Sequence, residues 1–335
     1  MRILYVEDQL EENIPKVIRL FSKYLGKELI EKLNDLEEED YKEPEEVKEI
    51  VESTNLIEVE YRFPDALRKI RNPEKYSLFI VDRNLVEGSY KFDEVRKIDG
   101  SYDEGKFEKF SKANREGDYL LHQLILVHKV EVSRKFYFLT AYSVKDELRG
   151  YEDIENYIVM GQFAEKNFIQ KDNNEDVERL KRIIDNNDQL NLMHENMPYL
   201  HILNKHIDAE IAEIFFTILD TKSEEGRIRD NLNRIRIVYE NILTVCSNVI
   251  PDMKKECGNE KGGSTVLWLK DEKHIDDIIL RNFLFGIRKI ANEFGSHKAY
   301  PYNPIYEPTL DTISSVVYAL KDVISWFDGI CSRYP

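Results

Sequence analysis

The chain has 335 residues, of which 42% are hydrophobic, so it is long enough for about two domains with packed cores. It carries 48 lysines and arginines against 64 aspartates and glutamates, a formal net charge of −16, which argues against broad binding to nucleic acids or anionic membranes. No apolar run is long enough to span a bilayer, and the start MRILYVEDQ lacks the apolar core of a signal peptide. The three scattered cysteines are typical of free thiols, so we expect a cytoplasmic protein without membrane contact.

Short apolar runs alternate with helix-like segments in the first half of the chain. The predicted strands are, in order, RILYV, NLIEVEYRF, YSLFIVDRNL, KFYFLTAYS and NFIQKD. The segments between them include PDALRKIRN, a helix opened by Pro64, and GDYLLHQLILVHKV, a helix with a strong apolar face. This alternation predicts a doubly wound parallel sheet, whose ligands bind at the carboxyl ends of the strands.

Two stretches look inserted into this pattern, near residues 21–52 and 86–117. The first is highly charged and has a helical pattern. The second is rich in Gly, Lys, Asp and Glu, and we predict a long loop or hairpin there, near the edge of the sheet.

The pattern changes after Asp172. A polar, helical segment, NNEDVERLKRIIDNNDQLNL, is a plausible connector, and from about Met197 onward the apolar residues recur at helical spacing. We therefore predict an α/β domain over residues 1–185 and an all-α domain over residues 186–335.

Polar residues stand at the ends of four predicted strands. Glu7 and Asp8 follow the first strand, Asp82 ends the third, Thr140 ends the fourth, and Lys171 ends the fifth. Because these ends gather at one edge of a doubly wound sheet, the three carboxylates there would bind a hard cation, which we expect to be Mg²⁺. A cation beside Asp82 would neutralise an incoming phosphoryl group, which Lys171 and Thr140 could also contact.

This ordered set resembles the receiver domain of two-component response regulators, over roughly residues 1–185. The resemblance implies a five-stranded sheet in the order 2-1-3-4-5. It also implies that Asp82 accepts a phosphoryl group from a histidine kinase or phosphotransfer protein. The metal ligands it implies are Glu7, Asp8, Asp82 and the backbone carbonyl of Asn84.

The same resemblance implies further roles and shows some departures. Thr140 would be the switch hydroxyl, Phe168 the switch aromatic, and Lys171 a contact of the phosphoryl group. The segment from Asp8 to Asp82 is longer than the family pattern, Asp172 stands where the family usually has Pro, and the loop after Asp82 is expanded. These departures leave open a pseudo-receiver scaffold that is not phosphorylated.

The segment RKIANEFGSHK resembles the motif of HEPN and abortive-infection C-terminal domains, over about residues 200–330. That resemblance implies an output site with Asn292, His297 and Arg288, and RNase activity in which the histidine transfers a proton. In that family an arginine directly precedes the asparagine; here Ala291 has that place and Arg288 lies one helical turn away.

The expected function is therefore Mg²⁺-dependent phosphoryl acceptance on Asp82, which switches the helical half as an output module. We expect a phospho-accepting signalling protein rather than a classical enzyme. A homodimer and RNA stay open as partners, whereas the acidic charge and the lack of a convincing helix-turn-helix argue against DNA. The alternatives are a receiver-gated HEPN-like RNase or defence effector, a pseudo-receiver scaffold and, least favoured, a Mg²⁺-dependent phosphatase, for which the sequence DRN at Asp82 lacks a second acid.

Overall fold

The structure, a computed structural model, describes residues 1–85, 90–98, 104–111, 115–141, 152–257, 263–295 and 307–334. The chain divides into two compact units, Met1–His194 and Glu195–Pro335. Each unit has its own architecture, α/β in the first and helical in the second.

The first unit contains one five-stranded sheet. Its strands are β1 (Arg2–Val6), β2 (Ile57–Glu60), β3 (Tyr76–Asp82), β4 (Phe136–Thr140) and β5 (Phe168–Gln170). All neighbours pair in parallel, in the order β2-β1-β3-β4-β5, which confirms the predicted fold class and strand order. Every residue of β3 is buried, as expected of a central strand covered on both faces, and this explains the unbroken apolar run before its final aspartate.

Eight helices accompany the sheet in the described part of this unit. They are α1 (Ile14–Glu37), α2 (Pro44–Glu52), α3 (Phe63–Lys69), α4 (Phe92–Ile98), α5 (Glu104–Ser111), α6 (Glu116–Leu126), α7 (Glu152–Val159) and α8 (Asn174–Asp185). A 3-10 turn, Leu10–Glu12, leads from β1 towards α1.

The helices cover both faces of the sheet. On one face, α3 and α6 share a large aromatic and aliphatic core with β3, β4 and β5. On the other, the ring of Phe21 in α1 packs against Tyr5 of β1, with centroids 5.4 Å apart. The hydroxyl of Tyr24 in α1 donates a hydrogen bond to the carbonyl of Ile184 in α8, at 3.0 Å, so α1 and α8 lie side by side.

The prediction of a loop or hairpin over residues 86–117 was wrong for the residues that the structure describes. They form α4, α5 and the start of α6. Phe107 and Phe110 are buried, and their rings contact Tyr119 of α6, with centroids 5.0 and 5.8 Å away. A few apolar residues among the charges are thus enough to dock α5 on the core.

The charged stretch over residues 21–52 folds as most of α1 and all of α2. Gly26 interrupts α1 with φ 69° and ψ 167°, a conformation that glycine adopts without a side-chain clash. The predicted helical pattern is correct here, and the helix path changes direction at this glycine.

The remaining helices are α9 (Asp188–His206), α10 (Ala209–Thr221), α11 (Ile228–Val249), α12 (Met253–Cys257), α13 (Gly263–Asp271), α14 (Ile278–Gly295) and α15 (Leu310–Arg333). In the second unit, α11 contacts α10, α14 and α15. A Cβ atom on Gly295 would lie 3.0 Å from the backbone nitrogen of Asn233, so α14 ends in close backbone contact with α11. The described residues of this unit form no strand, which confirms the predicted all-α class.

All three cysteines of the chain are free thiols. Among the helices that the structure describes, none combines the length and the apolar character needed to cross a membrane.

Candidate functional site

The register of the sheet brings the predicted site residues to one edge. Val6 of β1 pairs with Val81 of β3, so Glu7 and Asp82 are the next residues on two neighbouring strands. Thr140 of β4 pairs with its neighbour in β5 directly before Lys171. The polar residues that follow these apolar strands therefore lie together at the carboxyl edge.

Lys171 joins two of the carboxylates. Its Nζ donates hydrogen bonds to Oε1 of Glu7 at 2.9 Å and to Oδ2 of Asp82 at 2.6 Å. The lysine is only 8% exposed and Asp82 only 6%. Burial by itself would lower the pKa of Lys171, but the charges of Glu7 and Asp82 outweigh it, and the pKa is raised.

Glu7 is fully buried beside a second acid. Burial, and then the charge of Asp82, raise the pKa of Glu7 to about 8, although Lys171 opposes both effects. The hydroxyl of Tyr5 lies 3.4 Å from Oε2 of Glu7 and contacts the same carboxyl group. Glu7 therefore keeps its proton to a higher pH than an exposed glutamate does.

The carboxylates fit a divalent cation. Glu7, Asp8 and Asp82 each offer one oxygen, and the three oxygens lie within 4.8 Å of one another. Carboxylate oxygens are the ligands that Mg²⁺ prefers. The backbone N–H of Asn84 donates to Oδ1 of Asp82 at 3.1 Å, so the chain after β3 turns back towards this carboxylate.

A cavity of about 430 Å³ opens above Asp82. It combines residues that follow β1, β3, β4 and β5 with one wall from the 3-10 turn and the first turn of α1. Its lining contains four carboxylates and two lysines, and the lining residues are Asp8, Gln9, Glu12, Asn13, Lys16, Asp82, Asn84, Ala141, Lys171 and Asp172.

Three of the predicted residues at this edge, Glu7, Thr140 and Phe168, are not part of this lining; Glu7 is fully buried and contacts Lys171. Thr140 is fully buried, and its carbonyl accepts a hydrogen bond from the backbone N–H of Lys171 at 2.7 Å; the next residue, Ala141, lines the cavity. Phe168 is part of the aromatic core, with its ring centroid 5.3 Å from that of Phe138. The switch roles of Thr140 and Phe168 stay predictions.

Arg83, which directly follows Asp82, was not among the predicted site residues. Its side chain is fully buried, with Nε 2.7 Å from Oδ1 and Nη2 3.1 Å from Oδ2 of Asp118 in α6. The guanidinium also lies 5.3 Å from the ring centroid of Phe168. A Cβ atom on Gly117 would lie 2.8 Å from Cα of Arg83, so the start of α6 packs directly on the backbone beside Asp82.

The predicted output site is described only in part. Arg288 and Asn292 lie one turn apart in α14; among the described residues Nε of Arg288 is buried without a hydrogen-bond partner, whereas Asn292 is exposed. The positive charge of Arg288 acts on Tyr239 of α11, whose buried hydroxyl also has no hydrogen-bond partner in the described part of the chain. His297 lies outside the described residues.

Comparison with known proteins finds no match: no family model, no curated protein and no solved structure is similar to this chain. The chain is thus characterised by its architecture, a doubly wound α/β unit in the strand order 2-1-3-4-5 followed by a helical region. The candidate functional site is the cavity at the carboxyl edge of its sheet.

Proposed function

We propose that this chain is a receiver-like signalling protein that accepts a phosphoryl group on Asp82, with Mg²⁺ bound beside it. One observation carries the proposal. Asp82 ends the central strand of a 2-1-3-4-5 sheet, is held by Lys171, and lies close enough to the carboxylates of Glu7 and Asp8 to share one cation with them. An ordinary helix cap or surface acid would need none of these partners.

Different side chains of the site would have different roles in phosphoryl transfer. Asp82 attacks phosphorus through a carboxylate oxygen, and the bond between phosphorus and the donor's leaving atom breaks. Lys171, already within hydrogen-bond distance of Asp82, would hold an oxygen of the transferred group. When bound, Mg²⁺ would neutralise the charge of that group, and the residues that would hold it are Glu7, Asp8, Asp82 and the backbone carbonyl of Asn84.

Transfer would also change the charges around Lys171. Before transfer, the ammonium group of Lys171 contacts the carboxylates of both Glu7 and Asp82. After transfer, the phosphoryl oxygens on Asp82 would compete with Glu7 for this ammonium group. We propose that Thr140, whose carbonyl accepts a hydrogen bond from Lys171, and Phe168, whose ring lies beside the guanidinium of Arg83, respond to this change and that the helical region is the output module.

The partners follow from this assignment. A histidine kinase or phosphotransfer protein would supply the phosphoryl group, and the output would act through protein contacts or self-association. Free thiols fit the reducing cytoplasm in which we place the protein.

The test is intact-mass measurement of the full chain after incubation with Mg²⁺ and acetyl phosphate, alongside Asp82→Asn. We expect the wild type to gain the mass of one phosphoryl group and the folded variant to gain none. Omission of Mg²⁺ should also prevent the gain. A folded wild-type protein that gains nothing would instead support a pseudo-receiver scaffold.

A further inference from the structure

Lys16 lines the cavity but takes no part in the chemistry described above. It lies in the first turn of α1, and its Nζ donates to Oδ1 of Asn13 at 2.9 Å. No carboxylate pairs with it in the part of the chain that the structure describes. A cation in the first turn of a helix faces the positive end of the helix dipole, so this position favours a negative partner.

The charges that line the cavity indicate where a negatively charged partner of Lys16 could bind. The lining holds four carboxylates and two lysines, and a bound divalent cation would offset its negative excess. Lys171 already contacts Glu7 and Asp82. Of the two lysines in the lining, Lys16 is the one whose hydrogen bond, among the described residues, goes to a neutral side chain, and so it is available to a negatively charged group of a bound molecule.

We propose that Lys16 binds the leaving group of the phosphodonor and adapts the site to small acyl phosphates. The inference rests on the proposed function. Asp82 forms a bond to phosphorus, the bond between phosphorus and the acyl oxygen breaks, and the electron pair departs with a carboxylate, without proton transfer. In an in-line displacement the leaving group departs on the side of phosphorus away from Asp82, and Lys16, which lines the cavity from α1 rather than from a strand end, would stabilise the negative charge developing there.

A donor with a phosphorus–nitrogen bond differs from an acyl phosphate in the charge of its leaving group. Phosphoramidate releases neutral ammonia, which gains nothing from a nearby ammonium group. The contribution of Lys16 should therefore depend on the leaving group, whereas damage to Asp82 or Lys171 would slow both donors.

The experiment measures initial phosphorylation rates of the full chain with Mg²⁺ and either acetyl phosphate or phosphoramidate. The variants are Lys16→Gln, Lys16→Arg and the control Lys32→Gln, an exposed lysine of the same helix whose ion-pair partner is Glu28. We expect Lys16→Gln to lower the rate of phosphorylation by acetyl phosphate about tenfold, the effect of losing one charge-assisted hydrogen bond. The rate of phosphorylation by phosphoramidate should fall less than about twofold. Lys16→Arg keeps the positive charge and should retain most of the wild-type rate with acetyl phosphate. Lys32→Gln should change the rate with neither donor.

Equal slowing of both donors by Lys16→Gln, or no slowing of either, would overturn the role of Lys16 while leaving the proposed function in place. A wild-type protein that is phosphorylated by neither donor would overturn both proposals. Thermal unfolding of each variant, compared with the wild type, separates a lost contact from a lost fold.

Discussion

Glu7 is the residue whose charge state should respond most visibly to pH. Its pKa is raised from an ordinary 4.5 to about 8 by burial and by the neighbouring Asp82. As the pH rises from about 4.5 to about 8, the unfolded chain therefore releases this proton before the folded protein does. The folded state then binds more protons than the unfolded state, so the free energy of unfolding falls with rising pH across this range. Lys171, whose pKa is raised above its ordinary value, stays protonated throughout this range.

The variant Glu7→Gln should lose this part of the pH dependence, because glutamine does not titrate. We expect the difference in unfolding free energy between variant and wild type to grow in favour of the variant from pH 5 to pH 8. Urea unfolding in the presence of EDTA measures it, since bound metal would otherwise stabilise the ionised form. A difference that stays constant over this range would contradict the raised pKa.

The junction between β3 and α6 is the feature that sequence patterns least revealed. Arg83 and Asp118 are 35 positions apart, and their pairing depends on how α6 docks on the sheet. A buried arginine without its acid would be costly, and so would the acid without its arginine. The pair therefore ties the start of α6 to the strand end that carries Asp82.

The variant Arg83→Met should lower the free energy of unfolding by about 3 kcal/mol, because it leaves the carboxylate of Asp118 buried with a weaker partner, Arg115, at 3.7 Å. The double variant Arg83→Met with Asp118→Leu should recover much of this loss, since it removes both buried charges. Urea unfolding of the three proteins checks the prediction. A loss below about 1 kcal/mol in the single variant, or a double variant less stable than the single one, would contradict it.

Elements differed in how far the sequence could predict them. Strands β1, β3 and β4 are buried along almost their whole length and so appear as nearly unbroken apolar runs, and the strand ends placed Glu7, Asp82 and Lys171 at one edge. The helices α4 and α5 span only seven and eight residues, too short for a clear period among many charges. Lys16 was missed for another reason: strand ends define the base of the cavity, but its opposite wall depends on how α1 packs.

At the scale of the whole chain, the first unit extends past the predicted boundary at residue 185. Asn191, in the first turns of α9, accepts hydrogen bonds from the hydroxyl of Tyr24 at 3.0 Å and from Nζ of Lys23 at 2.5 Å. Its own Nδ2 donates to the carbonyl of Asp185 at 3.0 Å. The ring of His194 also packs against Tyr24, with centroids 5.3 Å apart. These contacts hold the end of the α/β unit onto α1.

A chain of residues 1–194 should therefore be more stable than one of residues 1–185. We expect a difference of about 1–2 kcal/mol, because each of these partly exposed hydrogen bonds contributes about 1 kcal/mol or less. Urea unfolding of both chains measures it, and Asn191→Ala in the longer chain should remove a large share of the gain. Acetyl phosphate should phosphorylate both chains if the receiver-like unit holds all of its chemistry. If the two shorter chains are equally stable, the domain boundary lies at residue 185, as the sequence predicted. If neither shorter chain is phosphorylated while the full chain is, the helical region takes part in the reaction.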